Sequence, residues 1–276
     1  MMPQLQENKT DKVMTKNSVY SVYPKKVKFQ ITIIFAIVFS IYFYSLRETE
    51  ADFLEFFSEL NLIFEKLLRM FPPEWSYIQA AIDPLIETIQ IAVVATTFSV
   101  LICIPMSLLS ANTIVKNKYL YQTFRNIMNI LRTMPDILLA TIFVSFFGIG
   151  IVPGILALTI FSLGLLAKLL SETIETIDPR QMEAIRSTGG NIIQVIWYGV
   201  VPQVLPNFIS YGLYVFELNV RASLVLGFVG AGGIGSIIDT QLNFMQYQKV
   251  MAVLILLLVA VIVIETISNA LRRRVV

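Results

Sequence analysis

Two arginine–carboxylate pairs stand four residues apart in apolar surroundings: Arg132 with Asp136, and Glu217 with Arg221. Ionisable groups inside apolar runs are costly to place and mark function by default. Each pair has two readings. It is an i,i+4 salt bridge, or its guanidinium lines a path for an anion, because a planar fork suits the oxygens of an oxyanion. On the second reading Asn219 adds hydrogen bonds. Lys168 and Glu172 lie near the end of another apolar run and are expected to snorkel or to pair there.

Other chemistry is largely shut out. The chain has no histidine, so the commonest general base and metal ligand near neutral pH is missing. Its one cysteine, Cys103, lies in an apolar run and reads as inert packing. No catalytic residue, metal or cofactor is expected. The run Gly230-Ala-Gly-Gly-Ile-Gly235 has the form G-x-G-x-x-G, but a dinucleotide site needs a βαβ unit and an acidic residue about 20 positions on. Asp239 is far too near, and the glycines are expected to serve close packing or a bend. No G-x-x-x-x-G-K-[ST] is present, so any ATP is hydrolysed by another chain.

The elements that carry these residues are set by a lipid solvent. Of the 276 residues 56% are hydrophobic and 14% charged, where a soluble domain has roughly 25% charged. The mean hydropathy is +0.71. A spanning helix needs about 20 mostly apolar residues. Six such runs are expected, at 29–46, 85–110, 126–147, 154–170, 204–220 and 250–268. The region 222–238 reads either as a short seventh span or as a re-entrant hairpin. The first run follows a polar tail and lacks a small-residue cleavage site, so it reads as a retained anchor. Between the first two, residues 51–71 show apolar positions such as Phe53, Leu54, Phe56, Leu60 and Phe64 at helical spacing. They predict amphipathic helix at a membrane surface, ended by Pro72-Pro73. Pro105, Pro135, Pro153 and Pro206 interrupt apolar runs, as kinks or as hinges.

Orientation follows from basic residues in short loops. With six spans, Lys25, Lys26 and Lys28, then Lys116, Lys118 and Arg125, then Arg180 and Arg186, and finally Arg272, Arg273 and Arg274 fall on one side. That side is expected to be the cytoplasm, with both termini there. The acidic loop after the first run falls outside. The expected organisation is a disordered cytoplasmic tail at 1–27, an anchor with an external amphipathic segment at 28–84, and a membrane domain at 85–276.

Within that domain the polar segment 172–202 carries the most specific text. Glu183-Ala184 is followed by Gly189 and, thirteen residues later, Pro202. This resembles the cytoplasmic loop of ABC importer permeases: Glu-Ala-Ala, three residues, Gly, nine residues, then Ile-x-Leu-Pro. The second Ala is replaced by Ile185, the Ile by Gly199 and the Leu by Val201. Asp178-Pro179 is a plausible capped helix start, and Gly189-Gly190 ends that helix. Downstream, Tyr198-Gly-Val-Val-Pro-Gln-Val-Leu-Pro-Asn-Phe-Ile-Ser-Tyr211, Phe216-Glu-Leu-Asn-Val-Arg221 and the glycine-rich run resemble the phosphonate ABC importer permease, as do Leu131-Arg-Thr-Met-Pro-Asp136 and the stretch carrying Lys168, Glu172 and Glu175. The resemblance covers 85–268.

The resemblance implies an all-α permease bundle of the type I importer kind in the bacterial inner membrane. It implies two permease copies around the path, cytoplasmic ABC ATPase subunits, an extracytoplasmic solute-binding protein and a small anionic solute such as phosphonate or phosphite. Glu183, Ala184 and Gly189 would belong to the ATPase-coupling surface. Arg132, Glu217, Asn219 and Arg221 are candidates for the translocation path. Membrane lipid is the remaining contact; no nucleic acid is expected. The rival readings are a permease of the same type for another solute, such as an amino acid, an ion-driven secondary transporter, which would need a midplane carboxylate cluster, and a membrane scaffold or sensor subunit without transport.

Overall fold

The computed structural model describes residues 25–49, 57–58 and 60–275. The chain divides into two compact units, Met1–Ile63 and Phe64–Val276. In the first, helix α1 (Lys25–Glu48) is apolar on all sides. Phe29, Ile34, Phe35, Ile37 and Val38 are exposed around its circumference. At about 1.5 Å per residue such a helix crosses a hydrocarbon core of about 30 Å. Helix α2 (Leu60–Arg69) carries the sequence boundary between the units and is amphipathic, as its apolar spacing predicts. Phe53, Leu54, Phe56 and the tail through residue 24 lie outside the described residues.

The second unit is a helical bundle. A 3-10 turn, Trp75–Tyr77, leads into α3 (Ile78–Leu109). Then come α4 (Lys118–Thr133), α5 (Asp136–Phe147), α6 (Ile151–Thr176) and α7 (Pro179–Ser187). A helical turn, Ile192–Gln194, and a π-helical segment, Val195–Val200, run into α8 (Val201–Gly227), followed by α9 (Ile234–Asn243) and α10 (Tyr247–Val275).

The five segments Lys26–Glu48, Trp75–Leu109, Ile151–Thr176, Ile192–Gly227 and Tyr247–Arg274 are long and apolar enough to cross a membrane. The third expected run, 126–147, is not one straight helix. It is broken at Met134-Pro135 into α4 and α5, which meet at 87°. Pro135 has no N–H to donate and pushes the residue before it out of the helical region. Met134 accordingly sits at φ −81, ψ 120. Of the other interrupting prolines, Pro105 and Pro206 stay inside α3 and α8. Pro153 lies in the first turn of α6, where a proline costs no hydrogen bond. The open question at 222–238 is also resolved. Residues through Gly227 finish α8, and α9 has ten residues, about 15 Å, too short to span.

The centre of the bundle is the contact of α3 with α6. Its face on α3 is built from small residues, Ala92, Ala95, Ser99 and Cys103, all buried. Between membrane helices small residues let backbones approach and so gain dispersion. Ser99 Oγ reaches across to the Thr159 carbonyl at 2.9 Å. Gly164 of α6 receives the end of α4, where a Cβ would lie 2.8 Å from the Arg132 nitrogen. Gly154 receives the glycine-rich turn, where a Cβ would lie 2.8 Å from the Ala231 oxygen.

Gly227 and Gly235 are the tightest crossing. A Cβ on Gly235 would sit 2.0 Å from the Leu224 carbonyl oxygen. Gly235→Ala should therefore destabilise the bundle by about 2–3 kcal/mol. Gly212→Ala, which meets only Val100 Cγ2 at 3.8 Å, should be neutral or gain up to about 1 kcal/mol from a stiffer unfolded chain. Thermal unfolding of both variants in detergent, followed by tryptophan fluorescence, checks the contrast.

Candidate functional site

The segment after α6 is shaped by its local chemistry. Asp178 caps α7, accepting the Arg180 N–H at 3.0 Å, and Pro179 opens the helix. Arg180 also pairs with the Asp178 carboxylate at 2.9 Å. Those bonds hold the Asp178 carboxyl below the usual carboxylate range. The helix stops at Gly189, whose φ of +84 suits a residue without a Cβ. Asn191 and Gln194 then form a reciprocal capping box that starts the return to the bundle.

This local order divides α7 into two faces. Met182 is buried and Ile185 packs with it against the inner cluster that includes Val195 and Val200. Glu183, Ala184 and Gly189 are exposed. Two of the three departures from the expected motif touch each other. A Cβ on Gly199 would lie 3.2 Å from Ile185 Cδ1 and 3.3 Å from Met182 Cγ. The larger Ile185 occupies the room that Gly199 leaves.

The base of the segment is fastened on both sides. Gln203 of α8 accepts the Asp178 N–H at 3.1 Å and donates to the Gly199 carbonyl at 2.6 Å. Glu175, at the end of α6, accepts the Asn112 N–H at 3.1 Å and pairs with Arg125 at 3.3 Å. Arg125 in turn bonds Tyr121. Thr173 and Tyr211 are hydrogen-bonded at 3.0 Å. Lys168 and Glu172 pair at 3.0 Å, as their spacing predicts.

The path candidates are not gathered in one place. The bend separates Arg132 on α4 from Asp136 on α5, and no salt bridge joins them; the Asp136 carboxylate accepts the Ile137 N–H instead. Glu217 and Arg221 do pair on α8. Arg221 also reaches Glu265 of α10 at 3.2 Å, and Arg272 stands 3.8 Å from Glu217. Asn219 has no exposure. It accepts from Ser162 of α6 at 2.6 Å and donates to Thr96 of α3 at 2.9 Å, so its amide is committed within the bundle.

The residues that sequence reasoning passed over are Glu265 and the Glu87-Thr88 pair. Each glutamate stands in an apolar run, which was the available signal. Glu87 accepts the Gly233 N–H at 3.0 Å and Thr88 accepts the Ile234 N–H at 2.7 Å. Together they cap α9 from α3, where a carboxylate also suits the helix N-terminus. Glycine is required beside them, since a Cβ on Gly232 would meet Glu87 Oε1 at 2.5 Å. The G-x-G-x-x-G run thus faces a carboxylate of its own chain.

The Ile185–Gly199 fit generates a test. Gly199→Ile alone should loosen α7 and speed tryptic cleavage at Arg180 and Arg186. Combining it with Ile185→Ala should restore protection, with a coupling of about 1–2 kcal/mol. Equal cleavage in the single and double variants would show that the two positions are independent.

Residues 103–276 match the family described as the binding-protein-dependent transport system inner membrane component. The phosphite transport system permease protein PtxC of Stutzerimonas stutzeri is 36% identical over 202 residues, 73% of this chain and 74% of that one. A chain of Escherichia coli K12, whose name assigns it as permease to a cryptic phosphonate transport system, is 48% identical over 118 residues, 43% of this chain and 97% of its own length. The inward-facing MetNI methionine ABC transporter superposes with a TM-score of 0.65 at 25% identity, covering 72% of this chain and 97% of that one. With the capped α7 segment and the long apolar helices, these matches identify the chain as a member of the binding-protein-dependent inner-membrane transport family, the multi-pass permease subunit of an ABC importer.

Proposed function

We propose that the solute is a phosphonate or a related phosphorus oxyanion such as phosphite, carried between two copies of this chain across the bacterial cytoplasmic membrane. An extracytoplasmic binding protein delivers it. ATPase subunits bind the exposed face of α7 through Glu183, Ala184 and Gly189, with both termini on the same, cytoplasmic side. The observation that carries this reading is the two-faced α7. Met182 and Ile185 anchor it inward while Glu183 and Ala184 stand free on a short capped helix. Such a helix fits a groove in a partner and transmits displacement without new chemistry.

The solute class is supported by the phosphorus-oxyanion names of the relatives together with the guanidinium groups of Arg132 and Arg221. Arg132 is exposed on α4, and Arg221 keeps about half of its side chain exposed between two carboxylates. These are the path residues of the proposal. Glu217 sets the position of Arg221, and Asn219 sets the position of α8 from within.

Two variants test the two halves. Glu183→Arg reverses charge on the docking face. In proteoliposomes holding the whole importer, ATP-driven uptake should fall at least about ten-fold, the effect of about 1.4 kcal/mol, while insertion and thermal stability are kept. Normal uptake would remove Glu183 from the coupling surface. Arg221→Ala should lower phosphonate uptake while ATPase subunits still co-purify. Unchanged uptake would leave Arg221 a structural residue.

A further inference from the structure

At the end of the bundle that carries α7, helices α8 and α10 enclose an open pocket of about 640 Å³. It is lined by Asn207, Ser210, Asn269, Arg272 and Arg273. Asn207 and Ser210 stand three apart on α8. Asn269, Arg272 and Arg273 stand at i, i+3 and i+4 on α10, so each set shares one helix face. No carboxylate is among the lining residues.

Several of the polar groups here are unspent. The Nε and Nη2 of Arg272 are buried and have no hydrogen-bond partner, and neither has the buried Ser210 hydroxyl. Nε and Nη2 form one edge of the guanidinium, the edge that binds an oxyanion through two parallel N–H···O bonds. Glu217 does not fill it. Its Oε2 is 3.8 Å from Nη2, beyond hydrogen-bond range, and its Oε1 takes Arg221. Glu265 is likewise turned to Arg221. A buried guanidinium edge with no hydrogen-bond partner asks for an anion that can supply one. The dipole at the C-terminus of α10 favours arginines there. It does not account for a guanidinium edge turned inward beside an unpaired hydroxyl.

We propose that this pocket is a binding site for a phosphate-type oxyanion group, held by the free edge of Arg272 with Arg273 and the Ser210 hydroxyl. The group comes from a phospholipid headgroup or from a free phosphorus oxyanion. The site does not depend on which solute is carried. It adjoins one path candidate, Glu217, through Arg272, but neither Arg132 nor Arg221 is among its lining residues.

The test uses the full chain, purified in detergent and stripped of lipid. Thermal unfolding and native mass spectrometry are followed with two probes, inorganic phosphate and phosphatidylglycerol, at ionic strength matched with sodium chloride. At least one probe should raise the unfolding midpoint as a bound ligand does. Arg272→Gln should weaken its apparent affinity about ten-fold or more, the loss of one charged hydrogen-bonding group. A response to phosphate assigns the site to free oxyanion; a response to phosphatidylglycerol alone assigns it to the headgroup. Asn269→Asp, which puts a carboxylate in the pocket and leaves Arg272 in place, should weaken binding too, and it carries the test if Arg272→Gln fails to fold. No response to either probe, or responses unchanged in the variants, would overturn the proposal.

Discussion

The structure rests on the close approach of α3 and α6 and on the polar tie that locks α8 against them. In a bilayer, apolar side chains gain little by leaving lipid for one another. Cohesion has to come from backbones brought near and from polar groups satisfied inside the bundle. The small residues Ala92, Ala95 and Ser99 supply the first. Asn219 supplies the second, bonded at once to Ser162 of α6 and Thr96 of α3. An amide buried in this way fixes both the depth and the rotation of α8, because either a slide or a turn would leave its donors and acceptor unpaired. The remaining elements lean on that trio. The end of α4 rests on Gly164, the glycine-rich turn rests on Gly154, and α7 is fastened to the lower ends of α6 and α8.

Much of this was legible in the sequence, for local reasons. Long apolar runs are one-dimensional signals. The start and stop of α7 are equally local, since Asp178-Pro179 and Gly189 act on their own neighbours. The break at Pro135 was not legible as a break. Pro105 sits in a similar run and remains within α3. What differs is the surroundings, since Gly164 admits the end of α4 against α6 at the bend. Asn219 was read as a residue for solute because its neighbours Glu217 and Arg221 are charged. A helix turns about 100° per residue, so its side chain points away from theirs, into the bundle, and only the packing reveals the partners.

The motif departures show the same limit from the other side. Taken singly, Ile185 for alanine and Gly199 for isoleucine each weaken the resemblance. In three dimensions they are one exchange of volume across a single contact. The glycine-rich run is a second example. Its spacing matches a phosphate cradle, yet the anion it faces is Glu87, 146 residues upstream. Glycine serves both cases for the same reason, the near approach of a backbone N–H to a carboxylate or phosphate oxygen. Spacing alone does not say whether that oxygen belongs to a ligand or to the chain.

These fastenings define how a displacement at α7 spreads. One route runs through Asp178 and Thr176 into α6, and the other through the Met182–Ile185–Gly199 contact and Gln203 into α8. Because α6 and α8 are joined again at Ser162–Asn219, the two routes cannot move independently without breaking a buried hydrogen bond. A load on α7 therefore moves α3, α6 and α8 as one body. Outside that body, α4 and α5 pack on α6 as extensively as α8 does, whereas α9 is attached more lightly, through glycines and the two caps from Glu87 and Thr88. Relative motion concentrates where attachment is weakest. The glycine turn is thus the place where the bundle can change shape while its centre stays intact.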